Sequence, residues 1–207
     1  MKFILASASP RRRSMLKHLG IEPTVITSQA DESVIADSPE QAVTLIAQRK
    51  ADAVRNALAK PTKSGTVYLK DDDVIVAADT VVVSPDGVLL GKPYDREDAK
   101  QMLRSLSGRE HRVISGICIM QGEKTVTHAE VTHVTFAPLS DATIDAYTAS
   151  GECDDKAGAY GIQDTAALWI EGIRGDYFNV VGLPIHRLET LLTEQFGLSL
   201  TDFREQK

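Results

Sequence analysis

The chain has 207 residues, 43% of them hydrophobic and 25% charged, which is ordinary for a globular protein able to bury a substantial core. A net charge of −6 argues against a broad nucleic-acid-binding face, though not against a small polyanion held in a local basic pocket. No apolar run approaches the roughly 20 residues that span a bilayer. The first basic cluster follows an apolar run instead of preceding it, the wrong order for a secretory signal. The two cysteines, Cys118 and Cys153, lack metal-ligand spacing, so free thiols in a reducing cytoplasm are expected, with no membrane and no nucleic-acid partner.

In chain order, residues 1–6 read as a strand and residues 10–19 as a helix, with Ser9 as its N-cap, Pro10 as its first residue and Gly20 as its stop. Residues 23–28 form a second short strand. Ser38-Pro39-Glu40-Gln41 is a capping box that opens a helix to about Ala59. Residues 60–73 read as a mobile surface connection. Residues 74–83 are apolar except for Asp79 and Thr80, the pattern of a strand buried on both faces. The Ser84-Pro85-Asp86-Gly87 turn then leads into a hairpin partner at 88–90. Asp95 caps a helix ending at Gly108, residues 113–120 and 125–136 pair as strands around Gln121-Gly122, and Ser140 opens a helix over 141–149. Pro184 starts a last helix reaching about Phe196. Strands and helices alternate without a strict βαβ repeat, which predicts an α/β fold with a mixed sheet flanked by helices.

Several residues sit where their chemistry is out of place. Ser7-Ala8-Ser9-Pro10-Arg11-Arg12-Arg13 puts three arginines in the first turn of a helix, whose N-terminus is already positive. Either they are solvated surface charges, or an anion is bound there by backbone N–H groups, serine hydroxyls and guanidinium forks. Lys50 lies on the apolar stripe of its helix, four residues from both Ile46 and Val54. It either snorkels to water or points at an anion or carboxylate. Asp79, inside an apolar strand, must be paired, protonated or metal-bound. Asp31-Glu32 is a loop pair that reads as solvated charge, or as oxygen ligands for Mg²⁺ or Mn²⁺ if it meets Asp79. Gly91-Lys92-Pro93 puts a lysine in a constrained turn. The 155–163 loop has glycines that permit close backbone approach, and Gln163 offers an amide that can read a base edge. The five histidines show no ligand spacing, and no Ser/His/Asp or Cys/His nucleophile arrangement stands out.

Taken together, these segments resemble the Maf family of nucleotide pyrophosphatases. The matching pieces are Ser7-Ala8-Ser9-Pro10-Arg11-Arg12, Ala78-Asp79-Thr80-Val81-Val82, Gly91-Lys92-Pro93, Leu106-Ser107-Gly108, Asp155-Lys156-Ala157-Gly158-Ala159-Tyr160-Gly161-Ile162-Gln163 and Val181-Gly182-Leu183-Pro184. They stand in the family's order over nearly the whole chain. The resemblance implies a single Maf-like domain, 1–207, with a Maf/ITPase-like elongated fold of two lobes around a central cleft, often as a homodimer. It implies a cytoplasmic enzyme that hydrolyses a nucleoside triphosphate to the monophosphate and pyrophosphate. Asp79 would be its proton acceptor, and Arg11, Thr80 and Gln163 its specificity residues in the dTTP/UTP branch. Met15-Leu16 stands where the family often has two leucines, residues 60–73 look long, and Asp164 stands where a small residue is usual.

The residues and the resemblance converge on one expected mechanism. Ser7, Ser9, Arg11 and Arg12 cradle the triphosphate, while Lys50 and Lys92 neutralise charge developing on the phosphates. Glu32 and Asp79 hold a divalent cation, Mg²⁺ or Mn²⁺, and Asp79 activates water. Arg13, outside the motif, returns to solvated surface charge. Two rivals stay open: a non-catalytic nucleotide-binding regulator of septation, and a pyrophosphatase for modified or non-pyrimidine nucleotides.

Overall fold

The computed structural model describes residues 1–59 and 69–205. The strands are β1 (Phe3–Leu5), β2 (Thr24–Val25), β3 (Val74–Val83), β4 (Leu89–Leu90), β5 (Glu110–Gln121), β6 (Lys124–Phe136) and β7 (Ile170–Arg174). The α-helices are α1 (Pro10–His18), α2 (Pro39–Leu58), α3 (Arg96–Leu106), α4 (Asp141–Ser150), α5 (Tyr177–Val181) and α6 (Ile185–Leu191). One seven-stranded sheet runs β2-β1-β3-β5-β6-β7, with β4 added to β3. β1 pairs in parallel with β2 and β3, while β3–β4 and β6–β7 are antiparallel, so the expected α/β fold with a mixed sheet is what the chain builds.

The chain divides into two compact units. The first comprises Met1–Asp79, Gly116–Ala129 and Ile185–Lys207. Its helices are set by their caps: the Ser9 side chain accepts from the Arg12 N–H, and Gly20 (φ +81°) follows the end of α1. Ser38 Oγ accepts from the Gln41 N–H at 3.1 Å, while Gln41 Oε1 accepts from the Asp37 N–H at 2.6 Å, so the box closes one residue upstream of the expected place. α2 buries Val43, Ile46, Ala47, Ala51, Val54 and Leu58, and its apolar face joins Ile4, Ile75, Ala77, Cys118 and Met120 in one core. The contact is unusually close at Gly116 of β5, where a Cβ would lie 2.4 Å from the Val43 backbone.

The stretch 60–73 does not end as the loose connection expected of it. Residues 60–68 lie outside the described residues, but Asp73 is buried. Its carboxylate accepts from the Lys2 N–H at 2.7 Å and the Lys70 N–H at 3.1 Å. A buried carboxylate needs such donors, and here they pin the turn before β3 to the start of β1.

The second unit comprises Thr80–Ser115 and Glu130–Pro184. Asp95 and Ser140 cap α3 and α4 as expected. A core centred on Leu103, Leu106, Phe136 and Tyr147 fills it. β7 and α5 were not foreseen: β7 is exposed over most of its length and so lacks an apolar alternation, and α5 has only five residues. The final helix also changes character, since α6 continues as a wider turn over Leu192–Phe196 and stops at Gly197. Among the described residues, no helix is long and apolar enough to cross a membrane. Both cysteines are free and buried, and burial pushes the Cys118 thiol up to about 12.

Candidate active site

Asp79 stands where β3 stops being fully buried. Val74–Ala78 are buried, whereas Asp79, Thr80 and Val81 are half-buried. Within the first unit, Asp79 Oδ1 accepts from Lys50 Nζ at 2.7 Å, and the same ammonium lies 3.0 Å from Glu32 Oε1. The Lys50 and Asp79 side chains are each 13% exposed and Glu32 is 61% exposed, so a largely desolvated ion pair is approached by a third charge from the water side. Lys50 therefore does not snorkel. Its stem follows the apolar stripe of α2, and its ammonium turns inward to the strand carboxylate. Desolvating such a pair is offset only by close, well-directed contacts, and both are present.

Arg12 is the buried arginine of the opening motif. Its Nη1 donates to Ser7 Oγ at 2.9 Å, and the Ser9 N–H donates to the same oxygen at 3.2 Å. Ser7 thus braces the guanidinium and the loop entering α1. Burial lowers the Arg12 pKa, the Asp79 and Glu32 carboxylates raise it, and Arg11 lowers it again. An arginine remains charged through such shifts. Three cations, Arg11, Arg12 and Lys50, accompany two carboxylates, a surplus suited to a polyanion. Arg13, by contrast, is exposed and pairs with Glu22 at 2.7 Å, as solvated surface charge should. Asp31 is held by its neighbour: its Oδ1 accepts from the Ser33 N–H and hydroxyl, which lower its pKa.

The remaining sequence-selected residues belong to the second unit. The Gly158 N–H donates to Gly91 O at 2.9 Å, tying the Lys92 turn to the 155–163 loop. Gly158 has φ +68°, and a Cβ there would lie 2.9 Å from Val82, so both backbone conformation and space require glycine. Lys156 Nζ holds the loop's own carboxylates, Asp155 Oδ1 at 2.9 Å and Asp164 Oδ2 at 3.3 Å. The unusual Asp164 is therefore used internally. Lys92 and Gln163 are exposed. Behind the loop, Tyr160 Oη and His111 Nε2 lie 2.8 Å apart in a buried aromatic cluster with Phe136. Burial pulls the His111 pKa down to about 4.

Thr80 is held by partners that sequence reasoning missed. Its Oγ1 is 2.8 Å from Ser115 Oγ, and Ser115 Oγ donates to the Asn179 backbone oxygen at 3.1 Å. The Asn179 side chain donates to Val113 O and Thr132 Oγ1. The available signal was Ser115-Gly116 interrupting an apolar strand, and Asn179 beside the Val181-Gly182-Leu183-Pro184 motif.

A basic N-terminal motif, a buried lysine shared by two carboxylates and a glycine-built loop on a mixed sheet define an α/β protein equipped to hold a charged ligand. The chain belongs to the Maf-like protein family, whose family model matches residues 2–195. A dTTP/UTP pyrophosphatase of Symbiobacterium thermophilum is 46% identical over 197 residues, 95% of this chain and 94% of that protein. A dTTP/UTP pyrophosphatase of Clostridioides difficile is 42% identical over 203 residues, 97% of this chain and 98% of its own length. Among solved structures, the Staphylococcus aureus Ham1 protein matches with a TM-score of 0.46 and 14% identity, over 66% of this chain and 72% of that one.

Proposed function

We propose that this protein is a cytoplasmic nucleoside triphosphate pyrophosphatase that hydrolyses dTTP and UTP to the monophosphate and pyrophosphate, working as a homodimer. The observation that carries the reading is the Lys50 ammonium shared by Asp79 and Glu32, next to a buried arginine. The relatives named dTTP/UTP pyrophosphatase support the substrate class, and the family resemblance supports the dimer.

Asp79 is the proton acceptor for the attacking water. Lys50 fixes the direction of its carboxylate through the 2.7 Å bond, so the acceptor oxygen needs no reorganisation when the proton arrives. Arg11, Arg12 and the first turn of α1, with Ser7 and Ser9 as braces, bind the phosphates and spread their charge. Lys92 adds a further cation. Thr80 and Gln163 read the base. Glu32 and Asp79 are a hard-oxygen donor pair of the kind that holds Mg²⁺ or Mn²⁺ together with substrate phosphates, so the residues present fit a divalent cation. When bound, that ion supplies charge stabilisation to the phosphates. Among the described residues there is no group of three or more His, Cys, Asp or Glu side chains placed to ligate a metal.

The test is pyrophosphate release from a panel of normal and modified nucleoside triphosphates, with Mg²⁺, with Mn²⁺ and with chelator. Release should be fastest from dTTP and UTP and should stop with chelator. Binding of these nucleotides without any release would leave the non-catalytic regulator standing instead.

A further inference from the structure

Residues 26–38, between β2 and α2, form neither helix nor strand, yet this loop brings Glu32 Oε1 to 3.0 Å from Lys50 Nζ. The ion pair does not by itself explain that placement. Glu32 is 61% exposed, and an ion pair open to water contributes too little to order the loop that carries it. The order comes from the backbone on either side of the carboxylate. Asp31 Oδ1 accepts from the Ser33 N–H at 2.9 Å and from the Ser33 hydroxyl at 2.5 Å, which closes a turn with Glu32 at its apex. Arg49 then ties this turn to α2: its Nη1 donates to Ser33 O at 2.6 Å and to Asp31 O at 3.3 Å. A guanidinium Nη carries two hydrogens, one for each carbonyl, so a single nitrogen spans the turn. Arg49 and Lys50 are consecutive residues of α2. The backbone that presents Glu32 and the ammonium that meets its carboxylate are therefore held by the same helical turn. All of these groups lie within the first unit.

We propose that Arg49 is a positioning residue: by fixing the carbonyls on both sides of Glu32, it holds that carboxylate ready beside Lys50 for the divalent cation that accompanies the nucleotide. This inference rests on the pyrophosphatase reading above and deepens it. A carboxylate on an ordered turn can accept a cation as it stands, whereas one on a free loop must lose its conformational freedom first. Arg49 acts only through Glu32 and contributes no contact to the reacting groups. Its side chain is exposed, so replacing it removes the tether without opening the core.

The experiment compares the wild-type chain with Arg49→Ala, Glu32→Gln and the double variant. Pyrophosphate release from dTTP is followed as Mn²⁺ is varied. Mn²⁺ binding is read separately, from the loss of the free-ion EPR signal in the presence of uncleaved α,β-imido-dTTP. Arg49→Ala should weaken Mn²⁺ binding about tenfold and raise the Mn²⁺ needed for half-maximal release by a similar factor. Adding Arg49→Ala to Glu32→Gln should cost less than about twofold more, because the tether then has no carboxylate left to place. A merely structural arginine would lower Tm and weaken both backgrounds by the same factor, and that result overturns the proposal. Unchanged Mn²⁺ binding in Arg49→Ala overturns it too, as does wild-type behaviour of Glu32→Gln. In each of these cases wild-type release of pyrophosphate leaves the pyrophosphatase reading intact. A wild-type chain that releases no pyrophosphate removes that reading, and the purpose of the tether with it.

Discussion

Asp79 and Thr80 are neighbours in β3, yet each is held by a different kind of physics. Asp79 belongs to a charged set in the first unit: Lys50, Glu32 and Arg12, with contacts of 2.7–3.0 Å and a stray carboxylate in water. Thr80 belongs to a neutral set in the second unit, where Ser115, Asn179 and Thr132 are buried and connected by hydroxyl, amide and carbonyl groups. Charges act over distance and tolerate small displacements, but they are sensitive to ionic surroundings. Neutral hydrogen bonds act only at contact, but they carry direction. The difference suits a division of labour in which the charged set manages phosphate and proton transfer and the neutral set manages discrimination.

The largest way to break that division is Asp79→Asn. It keeps the size and one oxygen for Lys50 but removes the proton acceptor and half of a desolvated ion pair, so kcat should fall by about 10³-fold while Tm drops but the chain stays folded at assay temperature. Pyrophosphate release and thermal unfolding measured on the same samples check this. Near-normal pyrophosphate release from the folded variant would remove Asp79 from the chemistry.

The neutral side should answer to pH through stability. His111 titrates at about 4 in the folded chain against 6.5 as its ordinary value, because burial disfavours its charged form. Below pH 6.5 the unfolded chain takes up a proton that the folded chain refuses, so stability falls as pH drops from 6.5 to about 4. The loss across that window is roughly 3 kcal/mol. Urea unfolding at pH 7 and pH 4.5 should show the slope, and His111→Gln, neutral at both pH values, should flatten it. The smallest effect is expected from Arg13→Ala. Its exposed pairing with Glu22 lies outside both sets, so kcat/KM and Tm should both stay at wild-type values.

Much of this molecule was legible because its signals are local. Ser9, Ser38, Asp95 and Ser140 cap the helices expected of them, since a cap needs only its own next three residues. Lys50 and Asp79 were conspicuous as charges on apolar faces, and they turned out to be each other's partners. What stayed hidden is what depends on distant neighbours. Ser115 and Asn179 are 64 positions apart, and each reads as an ordinary small polar residue until the fold joins them. His111 has no sequence pattern that announces Tyr160, and Asp73 read as part of a mobile surface connection until Lys2 proved to donate to it. β7, with its exposed face, offered no periodicity to read.

One small absence in β5 has a mechanical meaning. α2 rests against Gly116 with no side chain between them, at the level of Val43, and Lys50 stands seven residues further on, about two helical turns. The helix thus behaves as a beam whose seat is a single hydrogen atom. Its height above the sheet sets how far Lys50 reaches toward Asp79 and Glu32. The thickness of a methyl group would lift the beam by more than contacts of 2.7 and 3.0 Å can follow. The electrostatics at Asp79 are therefore gauged by bare backbone at a site that carries no charge at all.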